Sequence, residues 1–315
     1  MDFGFVPSSE INGIDFTLPK DGIQTSQVLG NKDGDRVPIF HVGCSRWENE
    51  GWINLLYPQD INKKKLSAFY VEKFNSVELA TTFYLIPTQS SILQSMSVFQ
   101  KSLSPDFRFY PKISRTISHI HRLKGASKET VAFLDGIKPL QSYIDACFLQ
   151  LSDNFKVKSA NILEEYLRAF PTDSKLFVEV REKEWFAQEN FRSWYFGLLK
   201  ELKMGAIITD ASGRRDAVHM ELTIPELFVR FVGNGGSHFE SDFRRIDSWV
   251  ERIKIWLDKG LEKVIFFLHQ RGNEEAPILA QYAIQQFNKH LGASLAELDL
   301  LVDVETYVAD KALVK

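Results

Sequence analysis

From Pro38 onward, short apolar runs alternate with longer stretches whose apolar residues recur every three or four positions. The runs at 39–43, 75–79, 107–112, 146–151, 176–181, 205–210, 227–232 and 264–269 are of strand length. The stretches between them read as amphipathic helices. Leu66, Tyr70 and Phe74 line one face, with Asn62 placed as an N-cap. Leu163, Leu167 and Phe170 line another; Phe243, Ile246, Val250, Ile253 and Leu257 step by threes and fours, as do Leu279, Ala283, Phe287 and Leu291.

Strand–helix alternation predicts a parallel sheet, because parallel neighbours need a crossover of helix length. Eight units in about 250 residues match a closed α/β barrel. A doubly wound open sheet would place a glycine-rich phosphate turn after its first strand. Here Gly43-Cys44-Ser45-Arg46-Trp47 follows instead. The expected fold is a single TIM-type (β/α)8 barrel over 39–291. Residues 1–38, rich in glycine and proline without a sustained period, read as an irregular N-terminal arm, and 292–315 as a C-terminal tail packed on the barrel.

Composition narrows the class. Over 315 residues, 44% apolar and 25% charged content excludes disordered, collagenous and coiled-coil chains. A net charge of −3 argues against a nucleic-acid coat or a membrane-surface protein. The two cysteines, Cys44 and Cys147, lie far apart and outside any CxxC pair, so reduced, buried thiols are expected. No basic leader with an apolar core opens the chain, and no apolar stretch approaches the roughly 20 residues of a membrane helix. Cytoplasmic residence is the expectation.

The candidate chemistry lies at the strand ends, where apolar runs finish on Glu78, Lys112, Gln150, Glu179 with Arg181, Asp210 and Arg230. Strand side chains alternate in direction, so Glu179 and Arg181 share a face with Phe177, and Arg230 with Phe228 and Val232. If that face is the interior, three acids and three bases crowd the C-terminal mouth, where barrel enzymes build active sites. A buried ring of ions must pair internally or meet a ligand. Both a ligand site and a structural ion-pair plug fit this pattern.

His119 and His121 form an HxH spacing that suits a metal, yet no HExxH or tight histidine cluster accompanies them, and no metal is expected. Trp47, Trp52 and Tyr57 after the first strand and Trp185 after the fifth could wall a pocket or pack under loops. Gly213-Arg214-Arg215-Asp216 reads equally as an anion site or a solvated turn. GxSxG and Walker signatures are absent, no cofactor motif is present, and Cys44 has no evident base beside it.

Together these stretches resemble the YecE-like family, domain of unknown function 72. The resemblance rests on Val42-Gly43-Cys44-Ser45-Arg46-Trp47 with Trp52 and Tyr57-Pro58, on Phe74-Asn75-Ser76-Val77-Glu78, and on Thr82-Phe83-Tyr84 with Pro87. It continues through Phe107-Arg108-Phe109 with Lys112, Ile117-Ser118-His119, Leu149-Gln150-Leu151 with Phe155, and Val178-Glu179-Val180-Arg181 with Glu184-Trp185. Asp210 with Gly213, Arg230 with Gly233, Phe266-Phe267 and Ala276-Pro277 complete it, from about residue 39 to 290. The resemblance implies a TIM-type barrel with a pocket at its mouth and no established activity. The chain departs from the family pattern at Ala80 (usually Asn), at Val232 (often His) and at Leu268-His269-Gln270 (often Phe-Asn-Asn).

The leading expectation is a metal-independent enzyme acting on a small polar or anionic metabolite. Glu78, Lys112, Glu179 and Asp210 are its catalytic candidates, with Glu78 or Glu179 as acid or base and Lys112 as electrophile or Schiff-base amine. Trp47, His119, Gln150, Arg181, Trp185, Arg230 and His269 are its binding candidates. One alternative is a barrel acting on phosphodiesters, tracking nucleic acid with Arg214-Arg215 and Arg244-Arg245, which the net charge disfavours. The other is a non-catalytic module. No feature of the sequence names a substrate or an oligomeric state.

Overall fold

The structure, a computed structural model, describes residues 3–30, 37–270 and 274–313. Among them, eight strands stand where the apolar runs predict them. They are β1 (Ile39–Cys44), β2 (Ser76–Leu79), β3 (Arg108–Pro111), β4 (Cys147–Gln150), β5 (Leu176–Glu179), β6 (Gly205–Asp210), β7 (Glu226–Gly233) and β8 (Lys263–Gln270). They run parallel in the order β3-β2-β1-β8-β7-β6-β5-β4. The outer pair meets at a seam, through bridges from Phe109 to Ile144 and from Lys112 to Phe148. There the Ile113 N–H donates to the Phe148 carbonyl at 2.8 Å. The sheet thus curls into a nearly closed TIM-type α/β barrel.

Helices Leu66–Lys73, Gln89–Phe99, Ser127–Gly136, Ala160–Ala169, Glu189–Glu201, Phe239–Asp258 and Ala276–Leu291 surround it. Their predicted apolar faces turn inward: Leu163, Leu167 and Phe170 are buried, as are Ile246, Val250, Ile253, Leu279, Ala283 and Phe287. Local sequence sets their ends. Thr88 and Ser91 close a capping box on Gln89–Phe99. Pro277 opens Ala276–Leu291, and Gly292, at φ 68°, ends it in the left-handed region. Asn62 caps a 3₁₀ turn, Lys63–Lys65, that leads into the first barrel helix.

One position in the ring is filled differently from the eight-helix expectation. Among the described residues no α-helix joins β6 to β7, and that connection holds only the 3₁₀ turn Arg215–Ala217. A short helix from the N-terminal arm, Ile23–Val28, docks there instead. The Thr25 hydroxyl donates to the Met220 carbonyl at 2.7 Å and accepts the Leu222 N–H at 2.7 Å, and the Gly22 N–H reaches Met220 O at 2.9 Å. The arm, read as irregular, therefore carries this helix and a 3₁₀ turn, Ser8–Gly13. Positions 1–2 and 31–36 of the arm, and 314–315 of the tail, lie outside the described residues. Beyond Gly292 the chain crosses back over the barrel, with Leu298 buried and the Leu301 N–H donating to Leu55 O at 2.8 Å, before helix Val304–Leu313.

The barrel interior is layered. At the N-terminal ends Lys263 pairs with Asp145 (2.5 Å) and Lys175 with Glu226 (2.7 Å). Above them Tyr110, Phe148, Phe177, Ile207, Phe228, Ile265 and Phe267 form an apolar plug. Such filling makes the barrel a packed core, above which the strand ends open. Gly43 lets β1 pack closely on β2: a Cβ there would lie 2.1 Å from the Ser76 carbonyl oxygen. The Tyr70 hydroxyl bridges the same spot, donating to Ser76 O (2.9 Å) and accepting the Cys44 N–H (2.7 Å).

Candidate active site

Above the aromatic plug, strand alternation turns Glu78 (β2), Lys112 (after β3), Gln150 (β4), Glu179 (β5), Thr209 (β6), Arg230 (β7) and His269 (β8) inward. Arg230 is the hub. Its Nε and one terminal nitrogen donate to the two Glu78 oxygens at 2.9 and 2.8 Å, a bidentate fork. Its other terminal nitrogen donates to Glu179 Oε2 at 2.7 Å and Gln150 Oε1 at 3.2 Å. Glu179 Oε1 accepts from Arg181 Nε and from Thr209 Oγ1, both at 2.8 Å. His269 Nε2 lies 2.9 Å from Glu78 Oε2.

These contacts decide the charge states. Burial raises the Glu78 pKa, but Arg230 and then His269 outweigh it and hold the carboxyl well below its usual range. Burial opposes ionisation of Glu179 as well, and Arg181 and Arg230 bring it to about 2. Both are carboxylates near neutral pH, and each of their oxygens already accepts at least one hydrogen bond. Neither has a proton to give, which removes the general-acid role for them. Burial lowers the His269 imidazole to about 4, so it is neutral and donates Nε2–H to Glu78.

Lys112 differs. Its Nζ donates to Gln150 Oε1 at 2.8 Å and lies 4.1 Å from the centre of the Phe83 ring. Among the described residues no carboxylate stands within salt-bridge distance. Burial, then the Arg230 charge, lower its pKa to about 7. The Phe83 face favours the ammonium by about 0.5–2 kcal/mol, less than the several kcal/mol that burial costs an ion. The Thr82 hydroxyl lies 2.8 Å from both the Leu79 and Lys112 carbonyls and ties the ends of β2 and β3 together beneath Phe83.

Loops raise a wall around this layer and leave a cleft of about 660 Å³. Glu78, Lys112, Gln150, Arg181, Arg230, His119 and His269 line it, so the structure brings seven of the predicted residues together, with Glu179 directly beneath. His119 is lowered to about 4 by burial and the neighbouring Lys112 charge, and is neutral. It lies 2.9 Å from the Ser118 hydroxyl and edge-on to Phe83. Arg181, fixed by Glu179, also faces Asp153 at 3.6 Å and carries the arm residue Phe3 on its guanidinium at 4.2 Å.

Three predicted residues lie elsewhere. Asp210 follows inward-facing Thr209 on β6, so alternation turns it out into the helix layer. There it accepts from Arg245 (2.8 Å), Trp249 Nε1 (2.8 Å) and Arg215. Trp47 packs against Phe99, Phe109 and Tyr70, with ring centres 5.1, 5.7 and 6.2 Å away. Trp185 is buried beside Trp194 and Tyr195 and donates Nε1–H to the Phe155 carbonyl at 2.6 Å. Both tryptophans serve packing outside the barrel. Conversely, the cleft includes Arg46 and Arg115, which were not predicted. Arg46 belongs to the Gly-Cys-Ser-Arg-Trp turn after β1, a signal that could have flagged it. Arg115 had none.

The predicted ring was electrically balanced; the observed cleft is not. Arg46, Lys112, Arg115, Arg181 and Arg230 line it against Glu78 and Asp153, with Glu179 below. The other basic pairs are committed elsewhere. Arg214 forks onto Asp216 (2.8 and 2.7 Å), Arg245 onto Asp210 and Asp242 (2.8 and 2.9 Å), and Arg244 onto Glu240. His121 faces Glu129 at 3.8 Å, away from the contacts of His119. Among the described residues no group of three or more His, Cys, Asp or Glu is placed to hold a metal. Cys44 and Cys147 are buried and free, and burial pushes both thiols up.

A parallel α/β barrel with a charged cleft at the carboxyl ends of its strands defines the class. The chain belongs to the DUF72 family, described as a protein of unknown function, whose model matches residues 41–299. It is 24% identical over 271 residues to the UPF0759 protein YecE of Escherichia coli K12, covering 80% of this chain and 94% of that protein. Crystal structures of DUF72 family proteins share the fold. One from Enterococcus faecalis has a TM-score of 0.59 at 20% identity, over 82% of this chain and all of that one. One from Thermotoga maritima has a TM-score of 0.59 at 21% identity, over 81% and 99%. The arm that places Phe3 on Arg181 precedes the matched region, and Phe3 shares a small buried apolar cluster with Ala211, Ala217 and Val232.

Proposed function

We propose that this chain is an enzyme that binds a small anionic metabolite in the barrel-mouth cleft and acts on it through Lys112, without a resident metal. The observation that carries this reading is Lys112, a buried amine with a pKa near 7 whose nearest polar partner is an amide oxygen. A structural ion-pair plug would give each cation its own carboxylate, as Arg230 has. An amine near its pKa at neutral pH is suited to take up a proton or attack a carbon. Arg46, Arg115 and Arg181 supply the charge that would hold a carboxylate or phosphate beside it. The carboxylates that might have ligated a metal are bound to arginines instead.

Commitment of Arg214, Arg215 and Arg245 to internal carboxylates removes those arginines as a track for a nucleic-acid backbone, so the small-molecule reading is preferred. Two reduced, buried thiols support the cytoplasm as its compartment. Among the described residues no helix is long and apolar enough to cross a membrane.

A thermal-shift screen of anionic metabolites tests the reading. Wild type is compared with Arg46→Ala and Arg115→Ala, both exposed positions that cost the fold little. A compound that raises the wild-type melting temperature and loses its effect in both variants supports it. If no anionic compound shifts wild type, or the shift survives both substitutions, the reading fails.

A further inference from the structure

We propose that Lys112 forms an imine with a small aldehyde or ketone that carries a carboxylate or phosphate, held by the arginines of the cleft wall. This rests on the reading above and names its substrate class.

Three features of the site point to carbonyl chemistry. First, Glu78 and Glu179 are occupied. Their oxygens receive Arg230, Arg181, Thr209 and His269, so neither is available to take a proton from a bound ligand without breaking the lock around Arg230. Lys112 is left as the nucleophile of the layer. Second, its surroundings free an amine lone pair: an aromatic face on one side, a single amide oxygen as acceptor, and burial with the Arg230 and Arg181 charges outweighing the pull of Glu78 and Glu179. Gln150 Oε1 takes one N–H, and because it also accepts from Arg230 Nη1 at 3.2 Å, the amine is held in place. The lone pair, having no protein donor among the described contacts, is left for the cleft. Third, an anionic anchor is accommodated by Arg46, Arg115 and Arg181, which line the same cleft as the amine. A purely electrostatic clamp would be served better by a fourth arginine, which stays charged when buried.

The step balances without a redox partner. The Lys112 nitrogen attacks the carbonyl carbon, forming a C–N bond and a carbinolamine. The C–O bond then breaks, and the oxygen leaves as water with the two hydrogens that the amine gives up. Neutral His119 lines the same cleft and can relay protons by hydrogen bonding, while His269 keeps its Nε2–H on Glu78.

The test is reductive trapping on the full chain at pH 7. Pyruvate carries the carboxylate, dihydroxyacetone phosphate the phosphate, and acetone neither. Each is incubated with sodium cyanoborohydride, and labelled lysines are mapped by mass spectrometry. The expected result is an adduct at Lys112 formed about tenfold or more faster than at any other lysine, with at least one anionic probe and not with acetone. The arm that labels tells carboxylate from phosphate. Arg46→Ala with Arg115→Ala should slow labelling, and Lys112→Arg or Lys112→Gln should abolish it. Labelling of Lys112 no faster than that of surface lysines overturns the proposal, as does equal labelling by acetone. Because the wild-type map decides this, a poorly folding variant does not blunt the test. An anionic compound that still shifts the melting temperature, with no trapped adduct, would sink the imine and leave the binding reading intact.

Discussion

Arg230 on β7 forks onto Glu78 on β2 across the barrel axis, with both nitrogen–oxygen distances below 3 Å and both side chains almost fully buried. The pair joins strands from opposite halves of the chain. A second arm of the same guanidinium takes Glu179, so the cleft floor is one ion network. Such a network holds its geometry because desolvating any member alone costs several kcal/mol.

Removing one partner should therefore be expensive. Glu78→Gln and Glu179→Gln are each expected to lower stability by about 3–5 kcal/mol, since each leaves buried positive charge uncompensated. Urea denaturation measures this. A loss below about 1 kcal/mol, the range of a surface pair, would show that the network does not lock the floor.

Lys112 makes the opposite contribution. Its folded pKa, about 7, lies below its ordinary value of 10.5, so the unfolded chain binds more protons between those limits and stability rises with pH there. Below pH 7 wild type bears the full cost of a buried ammonium. Lys112→Met removes that cost, so its stability relative to wild type should be greatest at pH 6.5 and shrink by a few kcal/mol toward pH 10. Denaturation curves of both proteins across this range check the slope. A difference independent of pH would contradict it.

Acid should unfold the chain partly through neutral histidines. Burial lowers His41 and His269 to about 4 and His219 to about 3. Their folded pKa values lie below 6.5, so the stability they contribute is complete above pH 6.5 and is lost as pH falls toward those values. His219 is the cleanest case. Its Nδ1 accepts the Glu221 N–H at 3.1 Å, leaving Nε2–H to donate to the Ile207 carbonyl at 3.0 Å. His219→Gln is expected to flatten the fall in melting temperature between pH 6.5 and 4, and an unchanged slope would count against the assignment.

Phe3 is expected to steady the cleft from outside the family core. Its ring covers the guanidinium groups of Arg181 (4.2 Å) and Arg214 (4.7 Å). Phe3→Ala should cost about 1–2 kcal/mol and weaken whichever anionic compound the screen returns, because Arg181 would lose one of the groups that orient it. Calorimetry on the variant checks both effects. Retention of full affinity would make Phe3 a packing residue only.

Much of the barrel is legible in the sequence. Strand runs such as 205–210 and helix faces such as Leu163, Leu167 and Phe170 depend on periods within one element, and both periods were readable. The polar ends of β2, β4, β5 and β7 marked the cleft for the same reason. Asp210 shows the limit. Its place at a strand end suggested the mouth, but parity with Thr209 turns it outward, and the deciding partners, Arg245 and Trp249, come from a helix about 35 residues away. Trp47 and Trp185 looked equally fit for a pocket wall or for packing, and neighbours distant in sequence settled it.

Order and type of the eight strands, and most members of the polar floor, follow from the chain's own pattern, because apolar spacing and side-chain alternation act over a few residues. The excess of positive charge in the cleft, the lack of a direct ion pair on Lys112 among the described residues, and the arm's helix filling the gap between β6 and β7 were decided by tertiary structure. Each depends on where loops carry Arg46 and Arg115, and where the arm's helix carries Thr25, relative to distant strands, and long-range packing alone sets those distances.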